Sequence, residues 1–250
     1  MRIVAWNCCG GFARKLPALA ALGPDLAVVC EVRRANLAAL PADVTALWAG
    51  DPEAAGKGLA ILAFNGWRLR PAAEPCGERW YLPAVARRDG RRLRLVGVWT
   101  QPAKDYVTPT LRALDALEGF LAGGPALMAG DFNQSVRWDA KKSERRRFAH
   151  ALARLKALGL VSAWHAHHRQ AHGAEAQPTY FHRWSAADTY HIDYLFASRG
   201  LRRRLVGAQI GAHADWGGLS DHAPVIIDLD WPPPPPAVLA PGTPVADLPP

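Results

Sequence analysis

Two short runs in this chain, residues 26–29 (Leu-Ala-Val-Val) and 126–129 (Ala-Leu-Met-Ala), carry no polar side chain. A strand turns alternate side chains to opposite faces, so wholly apolar runs of this length are stable as buried strands. Each emerges at an acid, through Cys30-Glu31 and Gly130-Asp131. The surrounding pattern predicts further strands over residues 2–6, 45–49, 58–64, 80–87, 92–100, 161–164, 179–181, 192–197, 205–210 and 225–229, with an edge strand over 67–70. Asp89-Gly90 is a hairpin turn signal between two of them. Helical periodicity runs over 13–22, over 110–121 with Thr108 or Thr110 as its cap, and over 143–158, where Phe148, Leu152, Leu155 and Leu158 form the apolar stripe. Strands outnumber helices and some are joined as hairpins, which excludes a purely alternating parallel array.

A chain of 250 residues, 50% hydrophobic, holds one large α/β domain or two small ones with ample material for a core. The composition changes after Trp231: five prolines follow, and Pro-rich sequence continues to Pro250. Such sequence forms neither ladder nor helix. The expected organisation is one domain over 1–231 and a disordered Pro-rich tail over 232–250. The formal net charge of +8 suits an anionic partner, nucleic acid or an acidic membrane surface. No two of the four cysteines have the spacing of a zinc pair, and they read as reduced thiols of a cytoplasmic protein. The start lacks a secretory pattern, and no apolar run reaches the roughly 18 residues that span a bilayer. A monomer without membrane insertion is expected.

The residues suited to chemistry stand where buried strands end: Asn7, Glu31, Asp131 with Asn133, Asp193, and Asp221-His222. A rigid scaffold with polar groups at strand ends is a common way to build a site. Taken singly, each has an ordinary alternative, because Asp and Asn shape turns. Asp193 differs, since Ile192, Tyr194 and Leu195 flank it. A carboxylate in that setting needs a partner, and His222 is the candidate.

In order along the chain stand IVAWN (3–7), PDLAVVCEV (24–32), GLAIL (58–62), GDFN (130–133), HIDYLFAS (191–198) and SDHAPV (220–225). Together these segments resemble the endonuclease/exonuclease/phosphatase superfamily of DNase I-like, metal-dependent phosphoesterases, over nearly all of residues 2–229. The resemblance implies an α/β (α+β) fold: a four-layer sandwich of two mixed β-sheets packed face to face, with helices on both outer sides. It implies that Glu31 binds the cation, Mg²⁺ with Mn²⁺ as the alternative, and that Asn7 helps hold the metal or a phosphate oxygen while Asp221 lies close to it. It implies that Asp131 orients or deprotonates the attacking water, Asn133 contacts the phosphate, and His222 faces the scissile phosphate with Asp193 holding its ring. These residue types suit phosphoester hydrolysis. A hard cation neutralises an anionic ester, and a braced His⁺ meets the charge that develops on the phosphate.

Three positions depart from the family pattern. Cys9 stands where many superfamily nucleases place an acid, and a thiol is a poor magnesium ligand. Trp99 stands where a His or Tyr is common; it can donate one N–H but move no proton, so either another donor such as Gln101 serves the phosphate or the indole stacks on substrate, the ordinary alternative being core packing. His191 stands where an Arg is common, so it is expected among the substrate contacts, the alternative being packing at a strand edge. Glu31 is followed by Val32-Arg33-Arg34, unlike the acid-then-lysine pattern of exonuclease III-like abasic-site enzymes. For substrate, Arg137 and Trp138 follow GDFN, then Lys141-Lys142 and Arg145-Arg146-Arg147, and Arg202–Arg204 adds charge. A basic run with an aromatic suits a phosphate backbone and a stacked base, so nucleic acid is the expected substrate. Inositol phosphates, phospholipids or small nucleotides are the alternative, and a nucleic-acid-binding module with weak or absent catalysis is a reading of another class.

Overall fold

The computed structural model of the chain describes residues 1–51, 56–102 and 105–231; the Pro-rich stretch 232–250 lies outside the described residues. The first sheet contains β1 (Arg2–Asn7), β2 (Leu26–Arg33), β3 (Thr45–Ala49), β4 (Lys57–Ala63), β13 (Leu205–Ile210) and β14 (Val225–Leu229), in the order β13-β14-β1-β2-β4-β3. The second contains β5 (Arg68–Pro71), β6 (Tyr81–Arg88), β7 (Arg91–Trp99), β8 (Ala126–Asp131), β9 (Leu160–Ser162) and β12 (Asp193–Ser198), in the order β5-β6-β7-β8-β12-β9. A short ribbon pairs β10 (Tyr180–Phe181) with β11 (Thr189–Tyr190). β1 runs parallel to β2 and β7 parallel to β8, while neighbours such as β2 and β4 are antiparallel, so both sheets are mixed.

The apolar runs have their reason here. In β8, Leu127 and Ala129 face the core between the sheets, while Ala126 and Met128 face a second core under the helices. In β12, Leu195 and Ala197 alternate with Tyr194 and Phe196 in the same way. Both faces of a central strand are dry, and neither tolerates a polar side chain. The two sheets approach closely at Gly97, where a Cβ would stand 3.1 Å from Ile61 Cγ1. Outside the first sheet, α1 (Phe12–Ala21) buries Phe12, Leu16 and Leu19. Outside the second, α2 (Val107–Ala116), α3 (Glu118–Ala122) and α4 (Phe148–Ala157) bury residues such as Leu114, Phe120 and Leu155. The result is the expected four-layer sandwich. Three short helices, α5 (Ala163–His168), α6 (Arg199–Arg202) and α7 (His213–Trp216), serve as connections.

Two of the helices differ from expectation at their starts. The helix expected over 143–158 begins only at Phe148, because Asp139 accepts hydrogen bonds from Phe148 N (2.7 Å) and Ala149 N (2.9 Å) and fixes the entry there. The stretch before it, with Arg145–Arg147, is exposed and outside the helix. The helix expected over 110–121 starts at Val107, where Asp105 takes the capping role assigned to Thr108 or Thr110 by accepting from Val107 N (2.8 Å) and Thr108 N (2.7 Å). It breaks at Leu117 before α3. All four cysteines are free: Cys8 and Cys30 are buried, whereas Cys9 and Cys76 are half-buried.

Candidate active site

Strand ends from both sheets meet at one edge of the sandwich. Asn7 closes β1, Asp131 closes β8, and Asp193 opens β12 directly opposite Asp131 in the ladder. Glu31 arrives by another route. The β2–β4 register shifts between Cys30 and Val32, and Glu31 is the extra residue, held at φ 64°. This bulge re-aims its carboxylate into the cleft. Asn133, at φ 51°, turns back so that its backbone N donates to Asp131 Oδ1 (2.8 Å) and its Nδ2 to Asp131 Oδ2 (3.1 Å). Gly130, before Asp131, has φ 137° and sits so close to Val98 that a Cβ would lie 1.9 Å from its carbonyl oxygen. Only glycine fits there.

The loop bearing Asp221 and His222 is latched to β1. Ser220 Oγ donates to Asn7 O (2.7 Å), and Trp6 Nε1 donates to His222 O (3.0 Å). Asn7 Nδ2 is shared between Glu31 Oε1 (3.2 Å) and Asp131 Oδ2 (3.0 Å), while its Oδ1 accepts from Cys9 N (3.0 Å). His222 Nδ1 meets Asp193 Oδ2 at 2.8 Å in a buried pair. Thr179 Oγ1 accepts from both Ile192 N and Asp193 N, at 3.0 Å each.

Asn7, Glu31, Asp131, Asn133, Asp221 and His222 therefore line one open cleft of about 520 Å³, with Asp193 behind His222. Trp99, Gln101 and Trp138 line it too. Trp99 packs edge-on against Trp80, with ring centroids 5.1 Å apart. Arg137 stands beside the rim, where its Nη1 donates to Thr189 O (3.0 Å) and its guanidinium lies 5.3 Å from the Tyr190 ring centre. His191 does not join the cleft: it is 2% exposed and packs against Trp164, His165 and Tyr194. It precedes β12, and its ring is drawn into that buried aromatic cluster, which corrects the substrate-contact expectation. Arg202–Arg204 also lie elsewhere. Asp230 N donates to Arg204 O, and β13 starts opposite Leu229, at the end of the sheet away from Asn7.

Sequence reasoning missed Lys57, Tyr106, Tyr180, His182, Asp188 and Tyr190. Lys57 Nζ pairs with Glu31 Oε2 from the first position of β4, and the other five line the cleft. The Tyr180 ring lies 4.6 Å from that of His222. Nothing in the local sequence marks these residues; the ribbon of β10 and β11 carries Tyr180 and Tyr190 to the cleft. Trp138 and Tyr190 then face each other with ring centroids 4.8 Å apart.

The electrostatics follow from burial and neighbours. Burial and the Asp193 carboxylate push Asp131 up to about 7. Burial opposes charge on His222, but the carboxylate and hydrogen bond of Asp193 outweigh it and raise the imidazole to about 9. Cys9 is raised by burial and by the Asp221 and Glu31 carboxylates, and stays a neutral thiol. The cleft thus offers carboxylate oxygens from Glu31 and Asp221 beside the Asn7 amide, a hard-donor set that fits a hard divalent cation. Ligand-type atoms of Asp131, Asp193 and His222 also lie within 4.8 Å of one another.

The model of the Endonuclease/Exonuclease/phosphatase family matches residues 4–222. No curated protein matches the sequence. Among solved structures, an AP endonuclease from Archaeoglobus fulgidus is similar at 18% identity and TM-score 0.67, covering 92% of this chain and 100% of that one. The endonuclease domain of TRAS1, a telomere-specific non-LTR retrotransposon, is similar at 14% identity and TM-score 0.69, covering 92% and 98%. The 3′ phosphatase NExo from Neisseria, solved bound to a product DNA hairpin, is similar at 21% identity and TM-score 0.65, covering 92% and 100%.

Proposed function

The chain belongs to the endonuclease/exonuclease/phosphatase family, and from that premise we propose that it is a nuclease that hydrolyses phosphodiester bonds with a divalent cation, magnesium or else manganese. The observation that carries this reading is the buried Asp193–His222 pair facing Asp131 and Glu31 across one cleft with a Trp138–Tyr190 rim.

Glu31 and Asp221, with Asn7 beside them, would hold the cation, which when bound would supply charge neutralisation at the phosphate. Asn7 bridges Glu31 and Asp131 and keeps the metal side and the water side of the cleft in register. Asp131, raised towards neutrality, accepts the proton of the attacking water. Asn133 clamps that carboxylate with two donors at the phosphate wall. His222 is protonated near pH 7; its Nδ1 is taken by Asp193, which leaves Nε2–H for a phosphate oxygen as negative charge grows there. Trp138, Tyr190 and the adjacent Arg137 offer a stacking surface and a positive charge to a base and its backbone phosphate.

The reading is tested with a panel of labelled single- and double-stranded DNA, RNA, an abasic duplex and inositol phosphates, each with magnesium, manganese or EDTA. Metal-dependent nucleic-acid cleavage is expected, lost in His222→Ala and in Glu31→Gln. Activity that survives EDTA or both substitutions overturns the mechanism, and turnover of inositol phosphates alone overturns the substrate class.

A further inference from the structure

Behind the cleft lies a second cluster that the proposed reaction does not use. Five buried side-chain polar atoms among the described residues lack a hydrogen-bond partner, and three of them, Trp164 Nε1, His172 Nδ1 and His191 Nε2, fall in this one place. The His165 and His172 rings stack with centroids 3.7 Å apart, and His191 lies 5.0 Å from His165. Glu175 is the acid among them. Its side chain is 4% exposed, and its Oε1 lies 3.0 Å from His165 Nε2 and accepts from Gly173 N (2.8 Å). Among the described residues no Lys or Arg pairs with it.

A buried carboxylate without a permanent counter-charge is costly, and so is a buried imidazole nitrogen without a partner. One divalent cation resolves both at Glu175 and His172. Ligand atoms of His165, His172 and Glu175 already lie within 4.8 Å of one another. Two imidazoles and a carboxylate form the borderline donor set that suits zinc rather than magnesium. The other nitrogen of His165, Nδ1, is held by Ser162 Oγ at 2.7 Å, the outer hydrogen bond that orients a ligating histidine. All three residues fall within one short stretch, residues 165–175, so closing the site costs little chain entropy.

We propose that His165, His172 and Glu175 form a zinc site, separate from the catalytic cleft, that fixes the segment leading into it. That segment continues to Thr179, whose hydroxyl receives the backbone of Ile192 and Asp193, and to Tyr180, against His222. Zinc there braces the Asp193–His222 pair from behind. The site stands whether or not the nuclease reading does.

The test uses the full chain in a Glu31→Gln background, which weakens the cleft's own cation site. Protein stripped with EDTA and desalted is titrated with zinc chloride, then desalted again for metal analysis and melted. Zinc is expected to raise Tm by about 5 °C at a hundredfold excess over its Kd, and magnesium is not. Glu175→Gln and His172→Gln are each expected to lower the retained zinc by one per chain and to weaken binding at least about tenfold. Should Glu175→Gln fail to fold, the partly exposed His172→Gln carries the measurement. Zinc content and Tm rise unchanged by these substitutions, absence of bound zinc, or an equal rise with magnesium overturns the proposal.

Discussion

Burying a carboxylate against an imidazole makes the charge of each depend on the other. His222 in the metal-free fold titrates at about 9, above the ordinary imidazole value of 6.5. A group whose folded value is raised stabilises the fold fully below its unfolded value and loses that stabilisation as pH rises through the folded one. The Asp193–His222 pair therefore contributes below pH 6.5 and fades through about pH 9. In EDTA, the Tm difference between the wild type and Asp193→Asn is expected to be largest near pH 6 and to shrink towards pH 10; a constant difference contradicts it. With metal, the same substitution lowers kcat at least about a hundredfold with little change in KM, because it disturbs the proton and orientation of His222 rather than substrate binding. At Gly130 the demand is steric. Gly130→Ala places a Cβ against Val98 O at φ 137° and is expected to lose on the order of 3–5 kcal/mol of unfolding free energy in urea melts. The need for a partner at Asp193 was legible from Ile192, Tyr194 and Leu195 around it. The left-handed turn at Glu31 was not, since alternation alone leaves that acid indistinguishable from an ordinary strand-end residue.

At the scale of elements, most strands were readable, while the starts of α2 and α4 were not. A strand between two dry faces advertises itself, as residues 126–129 do. A helix start is set by whichever side chain reaches its free N–H groups, and for α4 that is Asp139, nine residues before Phe148. Asp139→Ala is expected to cost about 1–2 kcal/mol in denaturant midpoints at unchanged m-value, and Ser143→Ala close to nothing. The bulge in β2 and the β10–β11 ribbon belong here too. Neither has a composition signal, yet one delivers Glu31 and the other Tyr180 and Tyr190 to the cleft.

For the whole molecule, we propose residue 231 as the domain boundary. Met1 N and Leu229 O lie 2.8 Å apart, Leu229 N donates to Met1 O, and the Trp231 ring stands 6.4 Å from that of Trp67, so the final strand is tied in up to that point. A chain ending at Trp231 is expected to keep its Tm within about 2 °C and to keep its hydrolytic rate, since few contacts cross a boundary of this kind; a larger drop in either places the boundary further on. The basic runs also resolve at this scale: Arg137 stands by the cleft, and Arg202–Arg204 at the far end of the first sheet. The sequence by itself determined the buried strands and the acids, amide and histidine beside their ends, because burial on two faces and polar groups at strand ends are local patterns, while the layered class came from its resemblance to the family. The tertiary structure alone decided that Glu31 turns inward, that Lys57 pairs with it, that Tyr106, Tyr180 and Tyr190 line the same cleft, and that His191 packs in a second cluster with His165. Those outcomes depend on register, on a bulge and on contacts between residues far apart in the chain, which no local pattern of side chains encodes.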